Sequence, residues 1–240
     1  MSEEKKTEEQ QKNQQKLLKP PWLDIRLTKE VMDHLWDMIN QQGTQPAAGS
    51  VMQKDANFAG PNNKVKEFED KNDWFFENAL KKCSEQLYYK DWSNYYNTYI
   101  TKIVPSPVFE LGRMWVNHQK QHEYIPPHNH NSGIGFSFVV FMKIPTHWKE
   151  QYALPWLKDV EHSHASDFQF LLAQGQTQVE PIAIPLCPED EGRMLFFPSW
   201  LTHQVFPFYN CDKERITLSG NILKKATATS PSGQHESISK

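Results

Sequence analysis

His128 and His130 are separated by one residue, follow Pro126-Pro127, and directly precede the most apolar run of the chain, Gly135 to Ile144. In extended backbone, residues i and i+2 project to the same side. Both imidazoles therefore leave one face at a strand mouth, as two metal ligands must. A third ligand has to come from a distant strand, and His203 is the candidate. It closes the segment Gly192-Arg-Met-Leu-Phe-Phe-Pro-Ser-Trp-Leu-Thr-His203, where a short hydrophobic strand and a Pro-Ser turn lead straight into it. Twelve residues later Arg215 opens Arg215-Ile-Thr-Leu-Ser-Gly-Asn221. In a strand Arg215, Thr217, Ser219 and Asn221 share one face, and Ile216 and Leu218 the other. A guanidinium on an interior strand is costly to bury without an anion, and its fork matches a carboxylate bidentately. The pattern points to a metal ion with a carboxylate-bearing ligand beside it.

The other histidines read differently. The chain has ten, and a second His-x-His pair, His162-Ser-His164, sits in the polar stretch Lys158 to Asp167. These are expected to be surface loop histidines, with Asp167 keeping an adventitious metal site open. His118 and His122 flank the turn His-Gln-Lys-Gln-His-Glu and read as solvated turn residues. Trp200 reads as a packing anchor. The insert from Thr146 to Asp167, with Trp148, Tyr152 and Trp156, has the length of a lid over a barrel mouth and equally reads as packing. Cys83, Cys187 and Cys211 are odd in number and widely spaced, which fits neither a disulfide framework nor a zinc ribbon. They read as ordinary thiols without an activating pattern and point to a reducing, cytoplasmic setting.

These side chains need a scaffold. Within 240 residues, residues 1–17 and 225–240 are polar, low-complexity tails expected to be disordered. Residues 18–224 are enough for one domain with one sizeable core. Its front, about 18–92, reads as helical. Thr28 is an N-cap, followed by Val31, Met32, Leu35, Trp36 and Ile39 at helical spacing up to Gly43. Residues 41–63 read as a long loop. A second helix starts near Asp73 with Trp74, Phe75, Leu80, Cys83 and Leu87 as the stripe it packs on a sheet. From about 95 to 223 the pattern is β. Strands are expected at 98–104, 110–118, 135–144 (apolar on both faces, hence buried), 168–173, 179–186, 193–197, 203–208 and 215–222. Helices first and short strands afterwards predict an α+β fold, with helices bracing an antiparallel sandwich or barrel.

Composition excludes several classes. Twenty-six basic residues against 29 acidic give a net charge of −3, with a pI of about 6.4 and a mean hydropathy of −0.71. No basic field is present for a nucleic-acid backbone, so nucleic acid is not an expected partner. No apolar run is long enough to span a membrane, and no secretory signal opens the chain.

Taken together, the His-x-His before a strand, the Phe-Pro-Ser-Trp-Leu-Thr-His203 segment, Glu214-Arg-Ile-Thr and Trp115-Val-Asn117 resemble the Fe(II)/2-oxoglutarate-dependent oxygenase superfamily, and within it the oxygenases of marine bacteria and tailed phages. The resemblance covers about Gly112 to Ile222. It implies a double-stranded β-helix, a cupin-like jelly-roll with the metal at its open end. It implies Fe(II) on His128, His130 and His203. It implies 2-oxoglutarate as co-substrate, its far carboxylate on Arg215 and Thr217, with Asn117 and Asn221 as further candidates for that pocket. It also implies O2, release of succinate and CO2, and hydroxylation of a small molecule or peptide. A homodimer is a common state in this superfamily, and a phage-encoded member would work in the host cytoplasm.

One position departs from the superfamily's His-x-Asp/Glu…His pattern: His130 stands where a carboxylate is usual. Either His130 is the third ligand, or it lines the pocket while water or a loop carboxylate, Asp167 or Asp190, takes that place. Three-histidine sites also resemble cysteine dioxygenases, so a thiol-dioxygenase-like cupin is the competing enzyme reading, against which Arg215 and Thr217 argue. A jelly-roll binding module with a vestigial metal site is the non-enzymatic one.

Overall fold

The computed structural model describes residues 20–42, 66–96, 108–130, 135–161, 163–174 and 178–225. Both tails apart from Lys225, which ends the last strand, the strand expected at 98–104, most of the 41–63 loop and His162 lie outside the described residues.

The chain enters through a short strand, β1 (Leu23–Arg26), and then helix α1 (Lys29–Gln42). Thr28 caps it, its Oγ1 accepting from the Val31 amide at 3.3 Å. Val31, Leu35, Met38 and Ile39 form its buried stripe. A three-residue strand, β2 (Lys66–Phe68), precedes the second helical region. There Asp70, not Asp73, is the capping carboxylate: it accepts from the Phe75 amide at 2.9 Å and the Phe76 amide at 2.8 Å. One wide π-type turn, Phe76–Leu80, leads into helix α2 (Lys81–Tyr96). The expected stripe is largely buried, with Phe75, Leu80 and Leu87 fully inside; each contributes about 2 kcal/mol by area removed from water.

Eight more strands follow: β3 (Val108–Gln119), β4 (Ile125–His128), β5 (Gly135–Lys143), β6 (Phe168–Gln174), β7 (Gln178–Ile184), β8 (Arg193–Pro198), β9 (Thr202–Val205) and β10 (Arg215–Lys225). A short helix, α3 (Trp148–Tyr152), lies between β5 and β6. The periodicity foretold neither β1 nor β2, because both are too short to show alternation. The strand expected at 203–208 stops at Val205.

The strands form two antiparallel sheets. One has six strands in the order β1-β8-β5-β10-β3-β2, the other four in the order β4-β9-β6-β7. Helices α1 and α2 cover the outer face of the larger sheet. Met114 and Val116 of β3, Phe136, Phe138 and Val140 of β5, Met194 and Phe196 of β8, and Leu218 and Ile222 of β10 meet the helical stripes there. The inner face meets the smaller sheet through Val139, Phe141, Leu195 and Phe197, against Phe168, Phe170 and Ile184. This explains why β5 is apolar on both faces: one side feeds the helix-side core and the other the inter-sheet core. Gly220 marks a close crossing, since a Cβ there would meet the Phe138 ring at 2.7 Å. The architecture is the jelly-roll of the α+β expectation, with helices bracing one sheet.

Along β3 and β10 the inner face turns polar. Arg215 pairs with Gln119, Thr217 with Asn117 and Ser219 with Trp115, so strand alternation aims all six between the sheets. The helix α3 region of the insert packs on the segment after β9. Gln151 donates to the Tyr209 carbonyl at 3.0 Å and accepts from the Tyr209 amide at 2.8 Å, and Leu154 is buried.

Candidate metal centre and keto-acid pocket

Pro126 and Pro127 shape the histidine site. Neither carries an N–H for the ladder. The β4–β9 register accordingly slips between Ile125, opposite Val205, and His128, opposite His203. This one-residue bulge re-aims the strand end and brings His128 and His203 together, ring centroids 4.3 Å apart and planes inclined at 54°. His130 lies just past the strand, its amide donating to the Ser199 carbonyl at 2.9 Å. Its ring is 5.4 Å from that of His128 and 5.3 Å from that of His203. One ligand nitrogen from each of the three lies within 4.8 Å of the others, and no Asp or Glu oxygen joins that cluster among the described residues.

Backbone carbonyls set two tautomers. Nδ1 of His128 lies 2.9 Å from the Pro126 carbonyl, and Nδ1 of His203 lies 2.9 Å from the Leu201 carbonyl. A carbonyl can only accept, so each Nδ1 carries the proton and each Nε2 keeps its lone pair for a metal. His203 is 5% exposed, packed among Phe168, Phe197 and Phe170. Burial first, then the nearby His128 ring, hold its imidazole well below the usual histidine value; the Leu201 carbonyl opposes this and His130 adds to it. The ring therefore stays neutral and ready to ligate. Three imidazoles suit Fe, Zn or Cu, so the donor set fits Fe(II).

Arg215 is 1% exposed. Its NH2 donates to the Ser166 carbonyl at 2.7 Å and to Ser166 Oγ at 2.5 Å, and its NH1 to Gln119 Oε1 at 3.3 Å. Its Nε is buried without a hydrogen-bond partner, a donor that an incoming carboxylate would satisfy. Burial lowers the guanidinium to about 10 and Asp167 opposes this, so the cation persists at neutral pH. Asn117 donates to Thr217 Oγ1 at 3.4 Å, and its buried Oδ1 is unpartnered; that atom requires a donor, such as water. Asn221 accepts from Ser137 Oγ at 2.8 Å. The polar wall expected from alternation is present, and its residues fit a keto-acid carboxylate through Arg215 Nε.

Other expectations need correction. Asp167 does not approach the histidine cluster. It is fully buried and accepts from the Tyr152 hydroxyl at 2.5 Å, with His164 Nδ1 at 3.3 Å. His164 is consequently half-buried beside Phe206 rather than a solvated loop residue. Asp190 binds Cys187 and Arg193 instead. Trp200 is 60% exposed and Leu201 is the buried anchor of that turn. His122 is an exposed turn residue beside Tyr209, as expected, whereas His118 lies within β3, half-buried and paired with Glu214 at 3.0 Å. Ser166 and Gln119, which hold Arg215, carried no sequence signal. Ser166 lies in a turn at φ +75°, outside any periodicity.

Residues 113–221 match the family model described as "Putative 2OG-Fe(II) oxygenase". No curated protein sequence matches the chain. Among solved structures, the non-heme alpha ketoglutarate dependent carbocyclase SnoK from nogalamycin biosynthesis is similar at a TM-score of 0.50 and 7% identity, over 86% of this chain and 80% of that one. A prolyl-4-hydroxylase of Pseudomonas putida matches at a TM-score of 0.45 and 13% identity, over 86% of this chain and 94% of that one. A Trichoplax adhaerens prolyl hydroxylase in complex with a hypoxia inducible factor peptide fragment matches at 0.46 and 11%, over 93% of each. The SnoK likeness supports the jelly-roll fold.

Proposed function

We propose that this chain is a 2-oxoglutarate- and Fe(II)-dependent oxygenase, as the family model matched by residues 113–221 supports, and that it uses Fe(II), 2-oxoglutarate and O2 to hydroxylate a small molecule or peptide. His128, His130 and His203 hold the iron, with His130 in the place of the usual carboxylate. Arg215 receives the far carboxylate of 2-oxoglutarate, helped by Thr217, with Asn117 and Asn221 completing the polar wall. The convergence of three imidazole nitrogens within 4.8 Å carries this reading.

When bound, the iron and its co-substrates supply oxidative decarboxylation of the keto acid to succinate and CO2, coupled to hydroxylation of a C–H bond. The protein's own contribution is positional. The Pro126 and Leu201 carbonyls fix two ring orientations, which limits reorganisation on metal binding. Phe168, Phe170 and Phe197 exclude water behind His203. Arg215 Nε donates to the carboxylate while Ser166 and Gln119 keep the guanidinium in place. Because these donors contain no carboxylate, the negative charge that balances the metal comes from the co-substrate.

We read the setting as cytoplasmic, in keeping with three free thiols among the described residues and an oxygen-sensitive ferrous ion. No helix among the described residues is long and apolar enough to cross a membrane. A homodimer is the assembly we would look for first.

The test is anaerobic addition of Fe(II) and 2-oxoglutarate to the full chain, followed by O2. The expected outcome is a visible metal-to-keto-acid charge-transfer band that decays with stoichiometric succinate. Absence of the band, or oxidation of a thiol with no need for 2-oxoglutarate, would overturn the proposal.

A further inference from the structure

We infer a second metal site, of the zinc class, built from His147, Cys187 and Glu189. One ligand atom from each lies within 4.8 Å of the others. The site shares no residue with the histidine triad.

Two segments bring these residues together, and the backbone fixes how they meet. His147 is the residue before α3, and Cys187 and Glu189 open the 3-10 turn that follows β7. The Trp148 amide donates to the Leu186 carbonyl at 2.9 Å, so residues directly adjoining His147 and Cys187 are tied to each other. Asp190 completes the frame. Its Oδ2 accepts from the Cys187 amide at 3.1 Å and from the thiol at 3.2 Å, while Arg193 NH1 holds its Oδ1 at 3.3 Å. The thiol proton is thus held by a carboxylate that is itself anchored, and burial together with Asp190 and Glu189 pushes the thiol up to about 11, so an incoming ion has to displace that proton.

The donor chemistry is selective. A sulfur, an imidazole nitrogen and a carboxylate oxygen together favour a borderline-to-soft divalent ion over Mg(II) or Ca(II). Zinc bonds of about 2.0 to 2.3 Å place tetrahedral donors roughly 3.5 Å apart, a modest closure from the separations present. His147 and Cys187 are half-buried and Glu189 is exposed, which leaves a way in and a fourth position for water. The sequence showed no activating pattern around Cys187; folding brings a histidine to it from a separate segment.

Binding has a definite local consequence. His147 Nδ1 accepts from the Lys149 amide at 3.1 Å, as the cap of α3. An imidazole bound through Nε2 must carry its proton on Nδ1, and one bound through Nδ1 has no lone pair left. Either way the cap is released when the ion binds. The Cys187 thiol proton leaves to the buffer as the metal–sulfur bond forms.

The test titrates the full reduced chain with Co(II) alone. A sulfur-to-Co(II) charge-transfer band in the near ultraviolet is expected. The histidine triad contains no sulfur, so this readout is separate from the oxygenase reading. Cys187→Ser should abolish the band, and Glu189→Gln and His147→Asn should weaken Co(II) binding at least about tenfold. Asn at position 147 can still cap α3, which keeps that variant folded. His203→Ala and Cys211→Ser should leave the band intact. As a check that needs no variant, Zn(II) should shift the Lys149 amide resonance and protect Cys187 from alkylation. No band in the wild type, a band that survives Cys187→Ser, or alkylation unaffected by Zn(II) would each overturn the inference.

Discussion

His128 and His203 stand directly opposite each other on β4 and β9, with ring centroids 4.3 Å apart and each Nδ1 held by the carbonyl two residues upstream. The strand pairing itself brings the two proposed ligands together. Removing either ring should therefore remove the metal and leave the sheet standing. His203→Ala is expected to lower bound iron by at least about a hundredfold in affinity, read by metal analysis after desalting. His130→Asp restores a carboxylate and is expected to keep iron bound at neutral pH. Iron loss from His130→Asp, with none from His203→Ala, would invert the assignment.

Arg215 and Ser166 form a second testable pair. A hydrogen bond to a charged group is worth about 1.5 to 3 kcal/mol, so Arg215→Lys should raise the 2-oxoglutarate KM roughly tenfold or more, with metal content unchanged. Ser166→Ala removes one bond to the guanidinium without touching the co-substrate, and its KM effect should be smaller. Steady-state kinetics in 2-oxoglutarate decides this; an unchanged KM in Arg215→Lys would remove the anchor role.

Asp167 makes stability depend on pH. Burial pushes its carboxyl above the ordinary value, opposed by the Tyr152 hydroxyl, His164 and Arg215. A carboxyl raised in the folded state binds protons more tightly there than in the unfolded chain. Its contribution is therefore present below the unfolded value, about 3.9, and is lost as pH rises through the folded value. Relative to wild type, Asp167→Asn should gain stability as pH rises from about 4 toward neutrality. Urea melts of both proteins across that range test the sign, and a parallel pH dependence would count against it.

Gly220 and Phe138 should be energetically coupled. A methyl at position 220 would lie 2.7 and 2.8 Å from two Phe138 ring atoms and 3.1 Å from the Arg113 carbonyl. Gly220→Ala is expected to cost about 1 to 3 kcal/mol. Phe138→Leu removes those ring atoms, so the double variant should be less destabilised than the sum of the singles. Strict additivity in denaturant melts would show that the backbone, not the ring, yields.

Much of the chemistry could be read along the chain because it obeys strand alternation. Arg215, Thr217 and Asn221 share one face in any extended conformation. The buried stripe of α1 and the double-sided burial of β5 follow from the same kind of periodicity, which is local. What sequence alone could not supply is whatever depends on irregular backbone or on meetings between distant segments. The Pro126-Pro127 bulge that sets His128 against His203, the positive-φ turn that points Ser166 at Arg215, the removal of Asp167 to Tyr152 and His164, and the approach of His147 to Cys187 are all of this kind. No period encodes them, because each depends on where two separately folded segments come to rest. Residue types and spacing thus marked out the histidines proposed to bind metal and the arginine proposed to bind a carboxylate, on a β scaffold. Packing of the two sheets decided which groups meet, since only the closed core fixes distances between residues far apart in the chain.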